Sequence, residues 1–260
     1  ENPKSNLATE VYTEDREILG KYFYQNRVNV QYEDLDTNLV NALIATEDER
    51  YYEHSGVDLK GLARAVLNFG KSGGASTITQ QLSKMLFSAA PKNTIERLMR
   101  KMQEWIISAQ LERRYTKNEI VAMYFNRFDF INNAVGIKSA ANVYFDSNPD
   151  SLRIEQAAML VGMLKNPSLF NPLRFEEKTL ERRNVVLFQM KRNGYISQDA
   201  YDSLKFLPLG LSYSRVDHKK GIAPYFREIL RAELKKVFNE KDKDGNYVLV
   251  KDNGEPYDIY

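Results

Sequence analysis

Three stretches of the sequence gather side chains whose types and spacing suit chemistry on a charged, hydroxyl-rich substrate. The first is ATEDERYYEHSG, residues 45–56. Its Glu47 follows the apolar Leu43-Ile44-Ala45 and so sits where a buried helix ends. Partial desolvation at such an edge makes a carboxylate a stronger base, which suits a general base. The same acidic run, Glu47 to Glu49, also reads as a helix end in solvent, the commoner fate of clustered acids. His54 reads either as a substrate contact or as a structural hydrogen-bonding group.

The second stretch is GGASTITQQLSK, residues 73–84. Glycines leading into Ser76 and Thr77 at a helix start expose backbone N–H groups that hold an anion such as phosphate. The GK[ST] ending of a nucleotide P-loop is missing, so ATP is not implied. A plain Gly-Gly turn followed by an N-cap is the alternative. The adjacent amides of Gln80 and Gln81 suit a sugar-like ligand. The third stretch is RKMQE, residues 100–104. Arg100 and Glu104 are i,i+4 neighbours that pair on a wet surface unless that face lines a cleft.

The elements that must position these residues are mostly helices. Alternating segments at 10–12, 22–24 and 28–32 read as a hairpin or extended lead-in. From Asp36 the pattern turns helical. Asp58 caps a helix with Leu59, Leu62, Ala63, Val66 and Leu67 on one face, ended by Gly70, Gly73 and Gly74. Ser76 or Thr77 caps the next, and Asn93 caps a third. The third carries an apolar stripe of Ile95, Leu98, Met99, Met102, Trp105, Ile106 and Ala109, with Arg97, Arg100 and Glu104 on the opposite side. Thr116 and Glu119 form a capping box. Further helices are expected at 151–164, 177–192, 197–205 and 224–238.

Composition narrows the chemistry. The chain has 260 residues, 43% of them hydrophobic and 28% charged, with a net charge of +2. A near-neutral balance gives no argument for nucleic acid. There is no cysteine, which excludes a thiolate nucleophile, disulfides and Cys-ligated zinc. His54 and His218 are too few for a His-rich metal site. No run of about 18 apolar residues is present to span a bilayer.

Taken in order, the three stretches resemble the signature motifs of glycosyltransferase family 51, the glycan-polymerising domain of class A penicillin-binding proteins and monofunctional transglycosylases. The family's E-D-x-x-F-x-x-H-x-G is matched by Glu47, Asp48, Tyr51, His54 and Gly56. Its G-x-S-T-x-x-Q-Q is matched by Gly74, Ser76, Thr77, Gln80 and Gln81, with Lys84 following, and its R-K-x-x-E by Arg100, Lys101 and Glu104. A fourth block is Tyr124, Asn126, Gly136, Ala140, Tyr144 and Phe145, and a fifth is Glu155, Ala157, Leu160, Gly162, Pro167, Asn171 and Pro172. Two positions depart: Tyr51 stands where the family has Phe, and Ile131 where it usually has glycine.

The resemblance implies a mainly α, lysozyme-like helical glycosyltransferase domain over residues 36–211, after a short β-type lead-in at 1–35. Residues 212–260, which include APYFREILRAEL at 223–234, are similar to the linker and start of a transpeptidase region, in keeping with a fused transpeptidase domain in a longer protein. The resemblance further implies lipid II and the growing glycan chain as substrates, at the outer face of the bacterial membrane, on the periplasmic side. The expected reaction forms a β-1,4 bond with inversion, Glu47 acting as base. Lys84, Arg100 and Lys101 would meet the pyrophosphate, and Glu104 would ligate Mg²⁺ or Mn²⁺ or hold the basic side chains. Asp48, Tyr51, His54, Ser76, Thr77, Gln80, Gln81 and Asn126 would bind substrate. Met85, Leu86 and Phe87, between the second and third motifs, read either as core or as a segment dipping into the membrane. The nearest rival is a lysozyme-like hydrolase or lytic transglycosylase acting on finished glycan. A second is a catalytically dead scaffold. The phosphate-binding cations argue against the first, Glu47 and Glu104 against the second.

Overall fold

The computed structural model describes residues 9–12, 18–22, 29–67, 76–87, 93–213, 229–230, 232–234, 237 and 258–259. It is mainly α. Nine helices are assigned among the described residues: α1 Thr37–Glu47, α2 Leu59–Leu67, α3 Ile78–Phe87, α4 Thr94–Arg114, α5 Lys117–Arg127, α6 Ile137–Phe145, α7 Ile154–Met163, α8 Glu176–Arg192 and α9 Gln198–Leu204. Strand β1 (Thr9–Tyr12) pairs antiparallel with β2 (Ile18–Tyr22) and parallel with β3 (Asp258–Ile259).

Helix α7 is the axis of the core. Every residue from Glu155 to Met163 is buried, with α1 and α8 packed along it. Its near-continuous apolar sequence explains this, because a helix that is hydrophobic all round has no face to give to water. Polar caps set the starts of several helices. Asp36 accepts from Asn38 N–H, Asn93 from Glu96, and Thr116 and Glu119 close their box. Gly61 N–H donates to Asp58, and Gln80 N–H to the Thr77 hydroxyl.

Two expectations need correction, and one falls outside the described residues. Residues 29–31 form no strand, because both backbone groups of Val30 are taken by the Asn126 side chain. The start of the expected 151–164 helix is a separate 3₁₀ turn, Pro149–Ser151, so α7 begins at Ile154. Most of the 224–238 helix, with Gly70, Gly73 and Gly74, lies outside the described residues.

The third helix, α4, is turned over relative to its amphipathic pattern. Glu104, Ser108 and Leu111 are its buried residues. Ile95, Leu98, Met99, Met102 and Ile106 of the apolar stripe are exposed, by 57% (Met102) to 74% (Ile95). The loop before α6 carries the departure at Ile131. Ile131, Asn132 and Asn133 all take left-handed φ, 56°, 52° and 63°. For a β-branched residue that backbone is strained, so a glycine would meet the geometry more easily. Asp129 accepts the Ile131 N–H and Asn132 donates to the Tyr144 hydroxyl, which hold the loop in this shape.

Gly56 packs against the backbone of α4 beside the start of α3. Its φ is +86°, and a Cβ there would lie 2.8 Å from the Ser108 carbonyl oxygen of α4. Its own carbonyl accepts the Thr77 hydroxyl at 2.7 Å. Gly56→Ala is therefore expected to cost about 2–4 kcal/mol through strain and clash with backbone that cannot yield. Thermal unfolding of the variant checks this, and an unchanged Tm would contradict it.

Candidate active site

Glu47 is the last residue of α1, with a side chain 17% exposed. Gln81 on α3 donates from Nε2 to Glu47 Oε2 at 2.9 Å. The Tyr124 hydroxyl on α5 in turn donates to Gln81 Oε1 at 3.0 Å. That contact fixes which way the Gln81 amide faces, because its oxygen must meet the phenol. Burial, and then the Glu47 charge, push the Tyr124 phenol well above its ordinary value. It is thus a neutral donor throughout the working pH range.

Glu47 opens onto a cleft of about 1270 Å³. The same cleft is lined by Ser76, Gln80, Gln81 and Lys84, and by Arg100, Lys101 and Glu104 of α4. Lys101 Nζ sits among oxygens, donating to Glu104 Oε2 at 2.8 Å, Ser76 Oγ at 2.9 Å and Gln80 Oε1 at 3.5 Å. Arg100 pairs with Glu96 one turn back, and its Nη1 is buried with no hydrogen-bond partner. The pair expected on a wet surface, Arg100 with Glu104, is not made. α4 gives its polar face to the cleft, and the two cations choose different carboxylates.

Five residues expected to bind substrate do not line this cleft. Asp48 accepts the Ile78 N–H at 3.0 Å and meets His54 Nε2 at 3.0 Å and 3.1 Å through its two oxygens. Tyr51 is fully buried and donates its hydroxyl to the Lys117 carbonyl. The hydroxyl that distinguishes it from the usual Phe thus has a partner. Thr77 caps α3 and binds Gly56. Asn126 clamps Val30, and Gly136, φ +81°, packs against the Asn126 carbonyl where a Cβ would lie at 3.0 Å. Asp48, Tyr51, His54, Thr77 and Asn126 hold the cleft walls together instead of facing its contents.

Sequence reasoning missed Lys165 as a cleft residue, just past the end of α7, and Arg182 of α8, whose Nη2 lies 3.9 Å from Glu47 Oε1. Lys165 had a faint signal, a lysine before Asn166-Pro167 where a helix must stop. Arg182 had none, since it is one of two adjacent arginines in an ordinary amphipathic helix.

The site offers little to a resident metal. No group of three His, Asp or Glu side chains that could hold an ion occurs among the described residues. Glu104, the expected ligand, already has the Lys101 ammonium on its carboxylate. A caged ion therefore does not fit, whereas one carboxylate beside a cation-lined cleft suits an ion that arrives with a ligand.

Comparison with known proteins follows the same lines. The sequence model of the family described as Transglycosylase matches residues 15–191. Penicillin-binding protein 1A of Escherichia coli (strain K12) is 36% identical over 248 residues, covering 93% of this chain and 28% of that protein. The Haemophilus influenzae penicillin-binding protein 1A is 36% identical over 256 residues, 95% of this chain and 29% of that protein. Penicillin-binding protein 1A/1B of Bacillus subtilis (strain 168) is 34% identical over 250 residues, 93% and 27%. The chain thus spans under a third of the length of these relatives.

If Asp48 is a pin and not a substrate contact, Asp48→Ala must show in stability first. It strands the Ile78 N–H and His54, and a loss of about 2–3 kcal/mol is expected. Denaturant unfolding reads it; full stability with lost substrate affinity would restore the binding role.

Proposed function

Because the chain belongs to the transglycosylase family, we propose that it polymerises lipid II into β-1,4-linked glycan strands by inverting displacement of polyprenyl pyrophosphate. The observation that carries this reading is the composition of one cleft. A carboxylate held by a neutral amide stands on one side, and Lys84, Arg97, Arg100, Lys101 and Lys165 share the same cavity. A hydrolase of finished glycan has a sugar leaving group and no use for so many phosphate-seeking cations.

In the proposed reaction the 4-hydroxyl oxygen of one substrate attacks the anomeric carbon of the other. Its proton passes to Glu47 as the new C–O bond forms, and the bond from that carbon to the pyrophosphate oxygen breaks. The leaving group departs as an anion and needs no proton, only positive charge set in advance where the negative charge grows. Arg100 offers a planar fork for phosphate oxygens, and Lys84 and Lys101 offer point charges. A Mg²⁺ or Mn²⁺ ion carried in on the pyrophosphate, with Glu104 as its protein carboxylate, would neutralise further phosphate charge.

The substrate's polyprenyl tail suits a lipid surface next to the cleft. Ile95 and Leu98 both line the cleft and belong to the exposed apolar face of α4. We therefore place the membrane outer leaflet against α4. Phe87, 48% exposed, stands at the end of α3, whereas Leu86 is partly buried against the core. No helix among the described residues is long and apolar enough to cross a membrane.

Incubation with lipid II tests the reaction. Polymer is expected from the parent chain with Mg²⁺, less of it with a chelator. Glu47→Gln should lower the rate by about 10²–10⁴-fold, the usual worth of a general base. Full activity of that variant would remove Glu47 from the role. For the membrane, a Leu98→Glu, Met102→Glu variant should lose most flotation with anionic liposomes while keeping its Tm; flotation equal to the parent would reject the α4 surface.

A further inference from the structure

The carboxylate of Glu47 is served unequally. Its Oε2 accepts from Gln81 at 2.9 Å, whereas Oε1 is faced by the Arg182 guanidinium at 3.9 Å, outside hydrogen-bonding reach. Both side chains are nearly closed off, with 17% and 12% exposed. At that separation, in a poorly hydrated place, the attraction between the two groups is substantial. Yet the distance leaves the Oε1 lone pairs unclaimed among the described residues.

Arg182 is itself held. Its Nε donates to the Gly162 carbonyl at 3.3 Å, and its guanidinium lies over the Phe170 ring, 5.9 Å from the centroid. Its side-chain stem crosses α7 at Gly162, where a Cβ would stand 3.2 Å from Arg182 Cγ. A glycine at that turn lets α8 come close enough for the guanidinium to reach the end of α1. Burial lowers the guanidinium's proton affinity and the Glu47 charge raises it.

We propose that Arg182 is a positioning residue that orients Glu47, and that Oε1 is the oxygen that takes the proton. The inference rests on the reading of Glu47 as the base. A base needs one oxygen anchored and the other open, and here the anchor is Gln81 while the counter-charge stands off. Had Arg182 come into hydrogen-bonding range, it would have occupied the lone pair that the hydroxyl proton must reach. Gly162 acts through Arg182, by leaving room for its stem.

Steady-state kinetics with lipid II test this on Arg182→Met, which keeps an apolar stem beside Gly162 without the charge, and on Arg182→Lys. Expected are a kcat lower by about 10–100-fold for Arg182→Met, the scale set by a misplaced catalytic group, with KM within about twofold. Arg182→Lys should recover a large part of kcat, and Gly162→Ala should fall between parent and Arg182→Met. Thermal unfolding checks that the variants are folded. A loss carried by KM, or equal activities for the Met and Lys variants, would overturn the positioning role. Glu47→Gln, run alongside, keeps the two claims apart. If it is inactive while Arg182→Met matches the parent, the base stands and only this inference falls.

Discussion

The Asp48 carboxylate is the constraint on which the site depends. It follows Glu47 directly, so anything that fixes Asp48 fixes where Glu47 emerges from α1. One side of it accepts the first free N–H of α3, and both oxygens meet His54. A charged acceptor at a helix N-terminus gains from the helix dipole as well as from the hydrogen bond. Because α3 also carries Gln80, Gln81 and Lys84, that contact sets Glu47 and the amides in one frame. Gly56 finishes the frame by letting α4 come into backbone contact, which brings Lys101 and Glu104 to the other wall.

The behaviour of α4 follows from competing demands on one helix. Burying its five apolar side chains would give the hydrophobic gain that usually decides orientation. Doing so would turn Arg100, Lys101 and Glu104 away from the cleft. Instead Ser108 and Glu104 face inward, with Ser108 bonded back to the Glu104 carbonyl. Exposure of a contiguous apolar face is tolerated in proteins that have something to cover it. The fold has thus given up local burial for a charged wall.

Much of the fold was legible because caps are local. Asp36, Asn93, Thr116 with Glu119, and Ser197 each satisfy N–H groups within three residues, so their types announce helix starts. Helix α6 was not read, because it begins at Gly136 without a side-chain cap and is nearly all buried. The motifs named residues that gather around one cleft, but not which of them hold its walls. Asp48 and Asn126 look like substrate ligands in a string of letters, since the Ile78 and Val30 backbone groups they bind are 30 and 96 positions away. The orientation of α4 was misread for a related reason. An amphipathic pattern tells which face is apolar, and only the neighbours decide whether that face is in or out.

The cations themselves divide by how they are held. Lys101 and Arg100 are each tied to a carboxylate on their own helix, while Lys84 has no ion pair among the described residues. Tied cations keep their positions, so their charge needs no reorganisation when negative charge develops nearby. Their tethers also lower the field that a phosphate would meet. Lys84 escapes that discount at the cost of a freer side chain. In the proposed reaction, a wall that holds both kinds joins fixed charge to freer side chains that can follow the departing phosphate, and paired cations alone could not do this.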